Sequence, residues 1–200
     1  MVAYRRRWWP GERGWGTLVT VTVLPQSRPL TADDLAVLPD DGHRYELIDG
    51  TLIVTPAPSW KHQRAVVRLL KTLMDAVPDD RFEVLTAPFD VRLADDTVLQ
   101  PDILVCRQAD LTQRNLPVAP LLAVEVLSPS TRLIDLNLKK ARYEASACQS
   151  YWVVDPTAPS ITSWEMRDRA YVESAACAGG EPFTTTLPFA VSFSPAQLVD

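Results

Sequence analysis

An α/β or α+β domain organised on a mixed β-sheet is the fold class this 200-residue chain predicts. Three observations carry that expectation. β-rich runs alternate with two helix-length segments, Trp60 to Ala76 and Arg132 to Ala147, and such interleaving belongs to sheets packed against helices. The run Leu121 to Leu127, the second helix and the run Tyr151 to Val154 make a strand–helix–strand unit, which lays two strands parallel across a right-handed crossover. Asp49-Gly50, between two short β-rich runs, is the two-residue signal of a type I′ hairpin and adds antiparallel strands.

The length is one domain's worth of chain, with an apolar fraction typical of a soluble globular protein. Residues 1–28, rich in Trp, Arg and Gly, read as a poorly ordered arm, and residues 29–200 as the domain. A natural start nearer Val19 or Val21 is a further reading. The net charge of -5 argues against coating nucleic acid by bulk electrostatics, but leaves room for a local basic groove or for a metal bridging acidic residues to phosphate. Cys106, Cys148 and Cys177 lack CxxC or Cys/His spacing, which argues against a disulfide framework or zinc site and for a reducing cytoplasm. No segment approaches the roughly eighteen apolar residues of a membrane span. Arg5-Arg6-Arg7 ahead of Leu18 to Leu24 has the flavour of a twin-arginine signal, but the intervening Pro10 to Gly14 and the missing cleavage site argue against export.

In chain order, Thr31 to Leu38 reads as a short helix, capped by Thr31 with Asp33 and Asp34 at its positive end. His43 to Ile48 and Thr51 to Val54 are the hairpin strands, ended by Pro56 and Pro58. Ser59 caps the long helix, where Val66, Leu69, Leu70, Leu73, Met74 and Val77 recur at helical spacing. Arg64, Arg68 and Lys71 take its other face, a solvated face by default and otherwise a contact for phosphates. Phe82 to Leu85, Phe89 to Leu93 and Thr97 to Cys106 are strands, the last kinked at Pro101. Gln108 to Ala119 is connection. Ile161 to Met166 and Tyr171 to Ala176 form a C-terminal hairpin, and Ala196 to Asp200 a last helical turn.

Two carboxylates sit where a folding chain tolerates them poorly. Asp102 opens the apolar run Ile103 to Cys106, and Glu125 interrupts Leu121 to Leu127. A strand apolar on both faces is buried on both, so a charge within it costs several kcal/mol unless something positive meets it. Alone, Asp102 reads as a Pro-Asp turn residue. Glu125 reads either as part of a site or as a buried ion pair with an Arg, and the clustering of charges in apolar settings at sites favours the first. Asp135 and Lys139, four apart on one helical face, are by default an exposed pair of small value. A helix starting just after the Glu125 strand would instead let Lys139 reach back over the two acids. Oxygen ligands with an ammonium in one cleft suit a hard divalent cation and an anionic substrate. No G-x-S-x-G elbow is present.

Tyr45-Glu46-Leu47-Ile48-Asp49-Gly50, then Pro56 and His62, Gln100-Pro101-Asp102-Ile103, Val124 to Thr131, Asp135, Lys139 and Tyr143, and Tyr151 to Pro156 form an ordered set. Over about Leu30 to the C-terminus this set resembles the Uma-two family of endonucleases, in the restriction-endonuclease-like PD-(D/E)xK superfamily. The resemblance implies a single domain with a central mixed β-sheet flanked by helices. It also implies Mg2+ or Mn2+ held by Asp102, Glu125 and the backbone carbonyl of Val126, with Glu46 completing the acidic cluster. The superfamily's lysine position, two residues past the glutamate, is here Leu127, so the role passes to Lys139. His62 matches a family position at the mouth of the site, and Arg64 and Arg68 are candidate substrate contacts. For Glu46 a solvent-facing polar strand residue is the equal alternative. Ala147 to Ser150 departs from the family's Gly-Val type turn. The implied activity is metal-dependent hydrolysis of phosphodiesters, in DNA first. Since many enzymes that cut both strands pair two copies, a twofold homodimer is the default. The alternative is a non-catalytic nucleic-acid-binding or scaffold protein of the same fold.

Overall fold

The computed structural model describes Leu24, residues 27–39 and residues 41–200. The arm expected over residues 1–28 lies almost wholly outside the described residues. A four-residue α1 (Ala32–Leu35) is shorter than expected; Thr31 and Asp34 cap it, the Thr31 N–H donating to the Asp34 carboxylate at 2.8 Å. Strands β1 (Arg44–Ile48) and β2 (Thr51–Thr55) pair antiparallel through Asp49 and Gly50, both at positive φ as a type I′ turn requires. A side chain at Gly50 would also collide with Pro29, so glycine is needed there twice over. Helix α2 (Trp60–Ala76) spans the residues its periodicity predicts, and Ser59 caps it by accepting from the His62 N–H.

Strands β3 (Phe82–Thr86), β4 (Asp90–Ala94), β5 (Thr97–Leu99) and β6 (Ile103–Arg107) follow. The single kinked strand expected over Thr97 to Cys106 is thus two strands, and they lie in different sheets. Proline has no N–H to give a ladder, and the Gln100 N–H is spent on the Glu46 carboxylate at 2.8 Å. The chain therefore leaves one sheet at Gln100 and enters the other after Asp102. Strand β7 (Asn115–Leu116) falls in the expected connection and pairs parallel with β4.

Next come β8 (Leu122–Val126), a π-helical stretch Ile134–Lys139 continuing as α3 (Lys140–Ala145), and β9 (Ser150–Asp155). Strands β8 and β9 are parallel neighbours, as the strand–helix–strand unit requires. The C-terminal hairpin is β10 (Ser160–Arg167) with β11 (Ala170–Ala178), and a further small pair, β12 (Phe183–Thr185) and β13 (Val191–Phe193), was not expected.

The mixed six-stranded sheet, in order β11-β10-β9-β8-β6-β3, is the centre, and β2-β1-β5-β4-β7 form a second sheet. Alternation along β8 and β9 divides their side chains between two layers. Leu122, Val124, Val126, Trp152 and Val154 pack with α2 and the β12–β13 pair. Ala123, Leu127, Tyr151 and Val153 pack with Tyr143 of α3 and with Ile48 and Leu99 of the second sheet. Glu125 belongs to this second layer, where the π-helical stretch and the second sheet meet. No helix among the described residues is long and apolar enough to cross a membrane.

Candidate active site

Strand register brings the two suspect carboxylates together. Ile103 pairs with Val124, Leu104 with Ala123 and Val105 with Leu122, so one step further Asp102 stands opposite Glu125. Residues facing each other across antiparallel strands project to the same side. The second sheet adds Glu46 from β1, and the π-helical stretch adds Asp135 and Lys139. All five side chains are buried: Glu46 and Glu125 are 1% exposed, Asp135 and Lys139 2%, Asp102 5%. Glu46 is therefore no solvent-facing strand residue, and Asp135 with Lys139 no exposed surface pair. The wider π turn, common at functional sites, carries both inward, and the Tyr151 hydroxyl anchors it by donating to the Asp135 carbonyl at 2.8 Å.

Lys139 Nζ lies 3.0 Å from Glu46, 3.2 Å from Glu125 and 3.5 Å from Asp135. Burial works to lower the Lys139 pKa, but Glu125 and Glu46 outweigh it and hold the amine above its ordinary value, so it stays an ammonium. A second cation, unforeseen from the sequence, is Arg44. Its Nη1 donates to Asp102 Oδ1 at 2.9 Å, and its Nη2 donates to the Gln100 carbonyl and stands 3.5 Å from Glu46 and 3.9 Å from Glu125. The signal was in the strand: Arg44, Glu46 and Ile48 alternate onto one face, and Ile48 marks that face as buried. Glu125 thus has the arginine neighbour of its alternative reading, together with a lysine and three further acids.

His62 opens from α2 onto the same cluster, its Nε2 3.1 Å from Asp102 Oδ2, which also accepts the Val126 N–H at 2.8 Å. Burial pushes the Asp102 pKa up, but His62, Arg44 and the Val126 amide prevail and hold it at about 2. Glu125 goes the other way: full burial, with Asp135, Asp102 and Glu46 nearby, raises its pKa well above the ordinary value despite Lys139. Asp135 is raised chiefly by burial too. Arg64 and Arg68 do not join the cluster. At 3.6 residues per turn they lie about 160° and about 120° around α2 from His62, and they donate to the carbonyls of Val199 and Gln197 at 2.9 and 3.0 Å.

A cavity of about 360 Å³ opens on Arg44, His62, Asp102, Glu125, Asp135 and Lys139. A larger one of about 710 Å³ shares Arg44, His62 and Asp102 in its lining. As the side chains stand, no three His, Cys, Asp or Glu residues among those described form a group that could hold a metal, and Arg44 and Lys139 are paired with the acids. The chemistry of the donor set nonetheless fits a hard divalent cation. Four formal negative charges face two permanent positive ones, leaving two in excess. Glu46 Oε2 is buried without a hydrogen-bond partner, and oxygen donors are what Mg2+ and Mn2+ prefer.

The mixed six-stranded sheet with its flanking helices is that of the restriction-endonuclease-like fold. The chain belongs to the Uma2 family, described as "Putative restriction endonuclease", which matches residues 32–197. Among solved structures it is similar to a protein of Anabaena variabilis described as a "putative nuclease belonging to DUF820". The two share 19% identity and a TM-score of 0.71 over 86% of this chain and 98% of the other, a likeness in fold. No curated protein matches the chain.

Proposed function

We propose that residues 29–200 are one nuclease domain that hydrolyses phosphodiester bonds in DNA with the help of Mg2+ or Mn2+. The observation that carries this reading is the convergence of Glu46, Asp102, Glu125 and Asp135 around buried Lys139 and Arg44 beside a cavity, four formal negative charges against two positive ones. Asp102 and Glu125, with the Val126 carbonyl, would hold the ion, and Glu46 would complete the acidic side of the site. A divalent ion there would supply Lewis acidity toward the phosphate and lower the pKa of water toward neutral. The Val126 amide and His62 keep Asp102 ionised and fixed in orientation. Lys139, kept charged by Glu46 and Glu125, would stabilise the negative charge that grows on the non-bridging phosphoryl oxygens and orient the attacking water. Glu46 takes both Lys139 and the Gln100 amide on its Oε1, so it ties the second sheet to the chemistry. A twofold pair of chains would cut both strands.

A binding or scaffold protein has one observation in its favour: Arg44 already neutralises Asp102. The two readings separate in a supercoiled-plasmid assay. Cleavage should be absent in EDTA and return on addition of Mg2+ or Mn2+; no cleavage under any divalent-ion condition would favour the scaffold, and undiminished cleavage in EDTA would remove the metal from the account.

A further inference from the structure

The oxygens of Asp102 and Glu125 are divided between fixed and movable partners. Asp102 Oδ2 is held by the Val126 amide and His62, and Glu125 Oε1 by Lys139. The two remaining oxygens, Asp102 Oδ1 and Glu125 Oε2, face Arg44. They are the oxygens left for a metal. Of the two cations in the cluster, Lys139 is sealed in at 2% side-chain exposure, whereas Arg44 is 21% exposed. Arg44 is also the permanent cation that lines both cavities, so its guanidinium has space to leave into. Its position is incompletely satisfied, since the buried Nε has no hydrogen-bond partner. A guanidinium and a divalent ion on the same two oxygens would repel each other strongly at such distances.

Resting on the nuclease reading above, we infer that Arg44 is the resident counter-ion of the metal-free site, that it yields those two oxygens when a divalent ion binds, and that the freed guanidinium swings into the 710 Å³ cavity to grip a phosphate of the substrate. Guanidinium matches a phosphate bidentately, so one side chain serves both states. In the metal-free protein it quiets the acids; in the loaded protein it offers the anionic substrate a cation.

Calorimetric titration with Mn2+ tests the exchange without reference to cleavage. Arg44→Gln should bind Mn2+ about tenfold more tightly than the wild type, because nothing has to be displaced, and Arg44→Lys, whose point charge cannot span both oxygens, should fall between. If Arg44→Gln does not fold without metal, the wild type serves alone: the Arg44 Nε–H signal in nitrogen-15 NMR should be protected from exchange in EDTA and lose that protection with Mg2+. The phosphate role is read by fluorescence anisotropy of a short DNA duplex in Ca2+, where Arg44→Gln should bind about tenfold more weakly. Wild-type protein that takes up Mn2+ while Arg44→Gln binds it no tighter, or an Nε–H that stays protected in Mg2+, overturns the exchange and leaves the nuclease reading standing. Unchanged DNA affinity overturns the phosphate role. Wild-type protein that takes up no divalent ion brings down both readings together.

Discussion

Replacing Lys139 by alanine should destabilise the folded protein by about 3–5 kcal/mol and abolish phosphodiester cleavage. The size follows from burial: a charge removed from a buried set leaves its partners uncompensated in a medium that solvates them poorly. Here the loss is shared by Glu46, Glu125 and Asp135, all within 3.5 Å of Nζ. This departs from what an exposed helical pair would do, where the same truncation costs little. Urea unfolding in EDTA measures the penalty, and a double-mutant cycle assigns it: in a Glu125→Gln background the Lys139→Ala penalty should shrink, since one of the stranded charges is gone. A penalty below about 1 kcal/mol, the range of surface pairs, would mean that the amine does not hold the acids together.

Glu125→Gln should also abolish cleavage, yet with the opposite effect on folding. The metal-free site carries more negative charge than Arg44 and Lys139 neutralise, and Glu125 bears most of the strain because Lys139 is shared among three acids. Removing its charge should stabilise the metal-free protein by about 1–2 kcal/mol near neutral pH. The sign with pH follows from the raised pKa. Below the ordinary value of 4.5, Glu125 is protonated in both folded and unfolded chains and the substitution changes little. Above it the unfolded chain ionises first, so the wild type loses stability with rising pH until the folded pKa is passed. The advantage of Glu125→Gln should therefore be near zero at pH 4 and grow upward from there. Asp102, held at about 2, contributes the reverse slope, stability that is lost only as pH falls below the ordinary carboxylate range. Melting temperatures of both proteins in EDTA across pH 4 to 8 check this, and a constant offset at all pH values would place the strain elsewhere.

Much of this site could be read from the chain because its residues break local rules. A glutamate amid Leu121 to Leu127 is conspicuous in a strand buried on both faces, but which layer it faces is set by the pairing of the strands and not by the run itself. Asp102 was harder, since after a proline it passes for a turn residue; only the register against β8 sets it opposite Glu125. Lys139 was found through its spacing from Asp135, but spacing alone could not distinguish an exposed pair from a buried one, because a π-helical turn leaves no clear mark in composition. Arg44 was missed. An arginine at the start of a hairpin strand is ordinary, and what makes it unusual is a neighbour brought from 58 residues away. The division of Thr97 to Arg107 between two sheets was likewise set by long-range pairing, with Pro101 the only local hint. Arg64 and Arg68 looked available for phosphate because the C-terminal turn whose carbonyls accept from them lies more than a hundred residues on.

The most direct measurement of the central claim is anomalous X-ray scattering from a crystal of the protein soaked in Mn2+. The account predicts a manganese peak bounded by Asp102, Glu125 and the Val126 carbonyl, with Lys139 still on Glu46 and Arg44 withdrawn. A crystal saturated with Mn2+ that shows no peak among these acids, and Arg44 unmoved on Asp102, would contradict it.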